Sequence, residues 1–525
     1  MVARKIWLIL ILGVVLISCQ QQEPEGASLS ALSKEKSNKD EKKVIVMVVD
    51  SMTETLVHNG LKNGATPALS YLIDHGTVYH DLISPFPTMS VVIESSLITG
   101  TPPNKHQVPG LIWYDETNDE LVDYGSTVPR TWKLGTKPVL MNGLYDLNNQ
   151  DLSQKTETIY EALHQKGRTT GSVNMLVYRG PYSHEISPPP YLKQWLDLPK
   201  PLETKGPDLL ALGQVIKPKV IQQEQLSDGL FNRFGINDDY SGKVAETLIK
   251  KGEQPDFMMV FFPDFDKEAH KNGPTSTELF ASIDLKVQQI LNAYESWDKA
   301  LEETTFIIIG DHSQDKIKEK GEEAAIELAL LLDPYKIAPL LDEPSSGDVV
   351  IANNHRMAYV YLSNAALDFP AVADRFAQDT RIDHVAWLEE DKLILYQVGT
   401  SGYLRITEDG KWQDRYGQRW EIEGNEAIAD IHLNKETMSI DYNAYPDIFH
   451  QLFAALRSHS NPMVITAKPG YTLKTEGAPV HHGGGEHGGL HHNDTVTSMI
   501  IAGSDKQPKI RRMENLKEYF LSLYQ

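Results

Sequence analysis

Three apolar runs in this chain stop at acidic residues, and that punctuation limits the folds it can adopt. VIVMVV (44–49) ends at Asp50, FMMVFF (257–262) leads through Pro263 to Asp264 and Asp266, and TFIIIG (305–310) ends at Asp311-His312. Apolar runs of this length without alternation read as strands buried on both faces, the pattern of a parallel sheet covered by crossover helices. GSVNMLVY (171–178) and SMIIAG (498–503) have the same character. Helical patterns fall between them, in PALSYLIDHG (67–76), in ETIYEALHQKG (157–167) and from Thr277 to Leu301. The alternation predicts an α/β fold with a parallel-rich central sheet flanked by helices. Open parallel sheets bind ligands beyond the carboxyl ends of their strands, so the aspartates are expected along one edge. Carboxylates crowded there repel one another, and a bound cation is the physical remedy.

At 525 residues the chain exceeds what one compact core accommodates. From Lys316 to Tyr442 its character changes: HVAWLEEDKLILYQV and GYLRITEDGKWQDRYGQRWEI alternate with turn residues. This predicts a smaller α+β cap at 316–442, inserted between two parts of a catalytic core at 43–315 and 443–525. Residues 181–250, with PPPYLKQW and PKPLETKGP, read as a loop-rich excursion near the active face. The formal net charge of −22 argues against nucleic-acid binding, which needs a basic surface. A small phosphorylated substrate remains compatible where metal ions supply local positive charge.

The N-terminus reads MVARKIWLILILGVVLISCQQQ, with Arg4 and Lys5 ahead of an apolar stretch too short for a comfortable membrane span. Cys19, the only cysteine, follows Leu16-Ile17-Ser18. The arrangement resembles a bacterial lipobox and implies a lipoprotein signal peptide at 1–19, acylation of Cys19 and a flexible tether at 20–42. The protein is then expected outside the cytoplasm, attached to the cell membrane by its lipid. A single cysteine excludes disulfides within the chain and thiolate metal sites.

Two further segments supply imidazoles. Asp266-Lys-Glu-Ala-His270 sets a carboxylate and a histidine four apart, and HHGGGEHGGLHHND (481–494) offers His481, His482, His487, His491 and His492 before a buried strand. Of these five, His487 is the candidate ligand, and most of the others are expected to be solvated. FPTMSVVIESSLITG (86–100) places two hydroxyls, Thr88 and Ser90, ahead of a short helical run. A serine hydroxyl attacks poorly unless a base or a metal activates it, and the N–H groups at a helix start face anions well.

The ordered series of Asp50, FPTMS…LITG, D-x-x-x-H followed by KNGP, GDH and E-H-G-G resembles the alkaline phosphatase superfamily over about 43–505. Within it, the series is most similar to the type I phosphodiesterase/nucleotide pyrophosphatase branch. The resemblance implies two metal sites, one formed by Asp50, Asp311 and His312 with Ser90, the other by Asp266, His270 and His487. It also implies Ser90, the second hydroxyl of Pro87-Thr88-Met89-Ser90, as nucleophile, with Thr88 as the alternative. The implied cofactors are two divalent ions, zinc first and manganese second. The implied reaction is hydrolysis of a small phosphate ester, nucleotide-like or another phosphodiester, through a phosphoryl-enzyme. Phosphomonoester hydrolysis, transfer to an alcohol of an envelope polymer, and non-catalytic lipid-anchored binding are the competing readings. Two departures bear on substrate: Leu111 stands where the branch carries a phosphoryl-binding Asn, and His106-Gln107 replaces a His-Gly. The longer spacing after Pro263 leaves Asp264 open as a ligand in place of Asp266. The sulfatase branch is not expected, because no C/S-x-P-x-R segment occurs.

Overall fold

In the computed structural model, residues 41–62, 64–188, 202–275, 277–319 and 324–525 are described. Cys19, nearly all of the tether and most of PPPYLKQW lie outside the described residues. Seven strands form the central sheet: β1 (Lys43–Val49), β2 (Gly76–Ile83), β3 (Thr170–Val173), β4 (Leu209–Ala211), β5 (Phe257–Phe262), β6 (Thr304–Gly310) and β7 (Val496–Ala502). Their order is β2-β7-β6-β1-β5-β3-β4. β6, β1, β5, β3 and β4 run parallel, and β7 runs antiparallel to both of its neighbours. The parallel-rich sheet expected from the non-alternating runs is therefore present. The run 171–178 does not stay in it beyond Val173. Asn174 takes a left-handed φ of 57°, and its amide donates to Gly235 O at 2.8 Å and accepts from Gly213 N at 3.0 Å.

Register brings the acidic strand ends together. Val49 pairs with Gly310 on one side and Phe262 on the other, so Asp50, Pro263 and Asp311 leave the sheet at one level. The sheet is buried on both faces. Val44, Val46 and Val48 pack with α1 (Ser90–Thr99), while Ile45, Met47 and Val49 pack with α2 (Asp238–Lys250) and α4 (Thr277–Leu291). Each such side chain contributes about 1.5–3 kcal/mol by burial, which makes β1 a rigid mount for Asp50. Between α2 and α4 lies α3 (Asp264–Asn272), directly after β5. The helical pattern 277–301 is broken in two, because Ser296 caps a new helix, Trp297–Glu303, by accepting Lys299 N at 3.0 Å.

A second, nine-stranded sheet occupies 349–467 and is largely antiparallel. Its strand Met463–Ala467 lies between Met357–Leu362 and Ile382–Glu389, so this sheet draws an interior strand from beyond Tyr442, where the cap was expected to end. A five-residue apolar run carries no signal of which sheet it will join. Helix α5 (Ile448–Leu456) packs on this sheet through Phe449, Leu452 and Phe453. The hairpin between Val349–Asn354 and Met357–Leu362 turns at His355-Arg356, and Arg356 N donates to His487 O at 3.0 Å. The second sheet thereby reaches the edge where the aspartates gather.

Candidate active site

Asp50, Asp311 and His312 form a first buried triad. His312 Nε2 lies 3.4 Å from Asp50 Oδ1 and 3.6 Å from Asp311 Oδ2. These three atoms are buried with no hydrogen-bond partner among the described residues. The other Asp311 oxygen is fixed, accepting Ser51 N at 2.9 Å and His312 N at 2.7 Å. His312 Nδ1 lies 3.1 Å from the Ser313 carbonyl, which only accepts, so the ring proton sits on Nδ1 and Nε2 is a free donor of its lone pair. Unpaired buried polar atoms carry a desolvation penalty of about 1–3 kcal/mol each, more when charged. Two carboxylate oxygens and one imidazole nitrogen aimed at a common point fit a divalent cation. Burial, with Asp311 beside it, pushes Asp50 well above the usual carboxylate range. Burial also raises Asp311, against the pull of His312.

The second triad comes from α3 and the glycine-rich loop. Asp266 and His270 stand one helical turn apart, with Oδ1 and Nε2 at 3.3 Å. His487 Nε2 is 3.3 Å from His270 Nε2 and 3.7 Å from Asp266 Oδ1. Both imidazoles are aimed by carbonyls: His270 Nδ1 donates to Gly485 O at 2.8 Å and His487 Nδ1 to Thr88 O at 2.6 Å. That fixes the tautomers and leaves both Nε2 atoms free to ligate. Asp266 Oδ1 also accepts from Ser51 Oγ at 2.9 Å and from the Gln314 amide. His312 and His487 stack at 3.9 Å between centroids, which joins the two triads. Burial alone would raise Asp266, but His270, followed by His487 and His312, holds it well below the usual range. His270, lowered by burial but raised more by Asp266, reaches about 9. Burial, reinforced by His312, depresses His487.

The two hydroxyls part company. Thr88 is fully buried, and its Oγ1 accepts the Gly488 N–H at 2.7 Å. Ser90 is half-buried and opens α1, whose remaining residues, Val91 to Thr99, are buried. The loop fits because it is glycine: a Cβ on Gly484 would lie 1.8 Å from His270 O, and Gly488 has φ +108°. A cavity of about 430 Å³, lined in part by Val91, Tyr124, Trp132, Leu144 and Leu176, opens beside the first turn of α1. A larger cleft of about 1170 Å³ lies at the other end of β1, around Lys42, Val44 and Gly503, and includes no residue of either triad.

The sequence model of the type I phosphodiesterase/nucleotide pyrophosphatase family matches residues 44–490, a span containing both triads and Ser90. The chain belongs to that family. It is accordingly a phosphoric ester hydrolase of a family that depends on divalent metal, and its two triads are the candidate ligand clusters. Its fold is similar to that of murine ectonucleotide pyrophosphatase/phosphodiesterase 5 (TM-score 0.53, 13% identity, 92% of this chain and 95% of that one). An inactive threonine-to-alanine form of the murine protein, solved in complex with AMP, matches with a TM-score of 0.52 at 13% identity over the same shares of the two chains. Phosphonoacetate hydrolase from Sinorhizobium meliloti 1021, in complex with phosphonoformate, is similar at a TM-score of 0.51 and 15% identity, over 93% of this chain and 96% of that one. No curated protein matches by sequence.

The spacing after Pro263 has a structural outcome. Asp264 Oδ2 accepts Asp238 N at 2.9 Å and Asp238 Oδ1 accepts Asp264 N at 3.0 Å, while Arg233 pairs with Asp264. Asp264 therefore ties the start of α3 to the start of α2, and Asp266 is the carboxylate that meets the histidines. Leu111 donates its N–H to Asn354 Oδ1 at 2.7 Å and packs on the β1–α1 core. His482 and His492 are exposed, and His491 Nδ1 accepts Asn493 N at 3.2 Å. Sequence reasoning missed His355 and the role of Glu486. Glu486 is fully buried behind His270, with His355 Nδ1 at 2.6 Å and His481 Nδ1 at 3.3 Å. The only signals in the sequence were a histidine at a two-residue hairpin turn and an acid preceding His487.

Proposed function

We propose that the protein is a two-metal phosphodiesterase that works through a covalent intermediate on Ser90. The observation that carries this reading is the pair of triads whose free ligand atoms converge at the carboxyl ends of β1, β5 and β6, next to a helix that starts at Ser90. Asp50, Asp311, His312 and the Ser90 hydroxyl would hold one ion, and Asp266, His270 and His487 the other. Zinc suits this mixture of carboxylate and imidazole, with manganese as the alternative. Bound there, divalent ions supply Lewis acidity to the phosphoryl oxygens and lower the pKa of a coordinated hydroxyl. Ser90 Oγ loses its proton to solvent and forms the bond to phosphorus as the ester oxygen on the opposite side departs and takes a proton from water; water later cleaves the Oγ–P bond and leaves a proton on Oγ. Thr88 is committed to Gly488 and His487, which favours Ser90 for this role. The positive end of α1 faces the phosphoryl group at Ser90. The apolar cavity that begins at Val91 receives the organic part of the ester. The AMP complex of the murine protein of similar fold supports a nucleotide-like substrate.

Leu111 favours a second reading, a phosphomonoesterase, because it replaces an amide that would hold a phosphoryl oxygen. Comparing kcat/KM of the zinc-loaded protein on a nitrophenyl phosphodiester and the matching monoester separates the two. The proposal expects the diester to be preferred, with chelation abolishing turnover and zinc restoring it. A clear monoester preference replaces the reading with the phosphatase. The same proposal includes attachment to the cell membrane through acylated Cys19, supported by the lipobox-like sequence and the polar stretch that follows it.

A further inference from the structure

Behind the second triad lies a further set of metal-ligand groups that neither triad uses. The Glu486 carboxylate is completely buried at its centre. One oxygen faces His355 Nδ1 at 2.6 Å, and the other faces His481 Nδ1 at 3.3 Å and the Thr472 hydroxyl at 3.2 Å. Among the described residues its ion-pair partners are histidines alone: His355, His481 and, at 3.8 Å, His270. A buried carboxylate with no fixed positive partner is strongly disfavoured unless a cation compensates it. The ligand atoms of His270, His355, Glu486 and His487 all lie within 4.8 Å of one another. His270 Nε2 and His487 Nε2 already face Asp266, which leaves His355, His481 and Glu486 as an independent donor set.

We propose that His355, His481 and Glu486 form a third divalent-cation site, backed against His270. Two imidazoles and a carboxylate are a zinc-type donor set, and the Thr472 hydroxyl or a water completes it. Two ligands on one tetrahedral zinc stand roughly 3.3 Å apart, which is the spacing His481 Nδ1 and Glu486 already have. The closer His355–Glu486 contact opens when zinc replaces the shared proton. Solvent reaches the site, since the His481 and His355 side chains keep 23% and 10% of their exposure. The secondary structure explains the convergence. His355 is held at φ 63° on the tip of the second sheet's hairpin, and Leu473 N ties its carbonyl at 3.1 Å. The site thus forms only where the two sheets meet, and it places a positive charge behind a ligand of the second triad.

The test is a zinc count on the purified full-length protein after equilibrium dialysis against zinc, by elemental mass spectrometry. The double variant His355→Gln/His481→Gln is expected to hold one ion per chain fewer than the wild type while keeping its native circular dichroism. Asp50→Asn probes the first triad separately. The drop caused by the double variant tests the third site, and the total tests the two-metal reading, so the two can fail independently. An unchanged count in the folded double variant overturns the proposal. A loss of two ions also overturns it, because these residues would then only support the second triad. If the double variant does not fold, anomalous diffraction at the zinc edge from wild-type crystals decides. A peak between His355, His481 and Glu486 supports the site, and its absence overturns it.

Discussion

Thr88 accepts the Gly488 N–H on its hydroxyl at 2.7 Å and the His487 Nδ1–H on its carbonyl at 2.6 Å. Thr88→Ala leaves the buried Gly488 N–H unpaired, an expected loss of about 1–3 kcal/mol in stability. Because the same turn orients His487, zinc affinity is expected to fall about 10–100-fold, the usual effect of removing support from a metal ligand. Thr88→Ser, which keeps the acceptor, should recover most of both losses. Thermal unfolding and zinc titration of the two variants check this, and a Thr88→Ala protein indistinguishable from wild type in both would contradict it. The hydroxyl pair itself is legible in the sequence. Which hydroxyl is locked is not, because its partner, the Gly488 N–H, lies 400 residues away along the chain. Asp264 and Asp266 pose the same problem: their spacing is visible, but only the pairing with Asp238 and Arg233 separates a helix tie from a triad member.

At the scale of elements, the strands carrying Asp50, Asp264 with Asp266, and Asp311 are legible because burial on both faces writes an unbroken apolar run. The 463–467 strand and the early end of β3 are not, since one depends on which sheet accepts it and the other on the Asn174 turn. The glycine-rich loop has a sharper requirement. A methyl group at Gly484 would meet His270 O at 1.8 Å, so Gly484→Ala must displace the loop or α3. The expected result is a destabilisation of about 1–3 kcal/mol together with loss of zinc from the second triad, read by calorimetry and metal analysis. Helix α5 is joined to the C-terminal segment by His450 Nε2 and Glu514 Oε1 at 2.6 Å. Although burial would raise Glu514, His450 draws it down to about 2, so its contribution is present above its ordinary 4.5 and fades as pH falls through the folded value. Burial lowers His450, but Glu514 raises it above 6.5, so its contribution is present below 6.5 and fades as pH rises through the folded value. The ionic pair therefore stabilises most between about pH 4.5 and 6.5. His450→Gln is expected to destabilise by about 1.5–3 kcal/mol near pH 5.5 and by progressively less in alkaline buffer. Denaturant titrations across pH would contradict this if the difference grew with pH.

For the whole molecule, the expected arrangement is an acidic body of net charge −22 held off an anionic membrane by a polar tether. Cys19→Ala should move the protein from the detergent phase to the aqueous phase and remove its lipid; unchanged partitioning would contradict the anchor. Both sheets contribute to one edge of the molecule, the first through its acidic strand ends and the second through the hairpin at His355. That convergence underlies the proposed mechanism: candidate metal ligands from distant parts of the chain gather beside the turn that leads into α1, where Ser90 is proposed to attack phosphorus. Peptide mapping by mass spectrometry, after acid quench of the zinc-loaded enzyme turning over a phosphodiester, tests this most directly. The expected result is a covalent phosphoryl ester on Ser90 that is absent from Ser90→Ala, with turnover lost in that variant. An adduct on Thr88, or a Ser90→Ala enzyme that turns over at the wild-type rate, would contradict it.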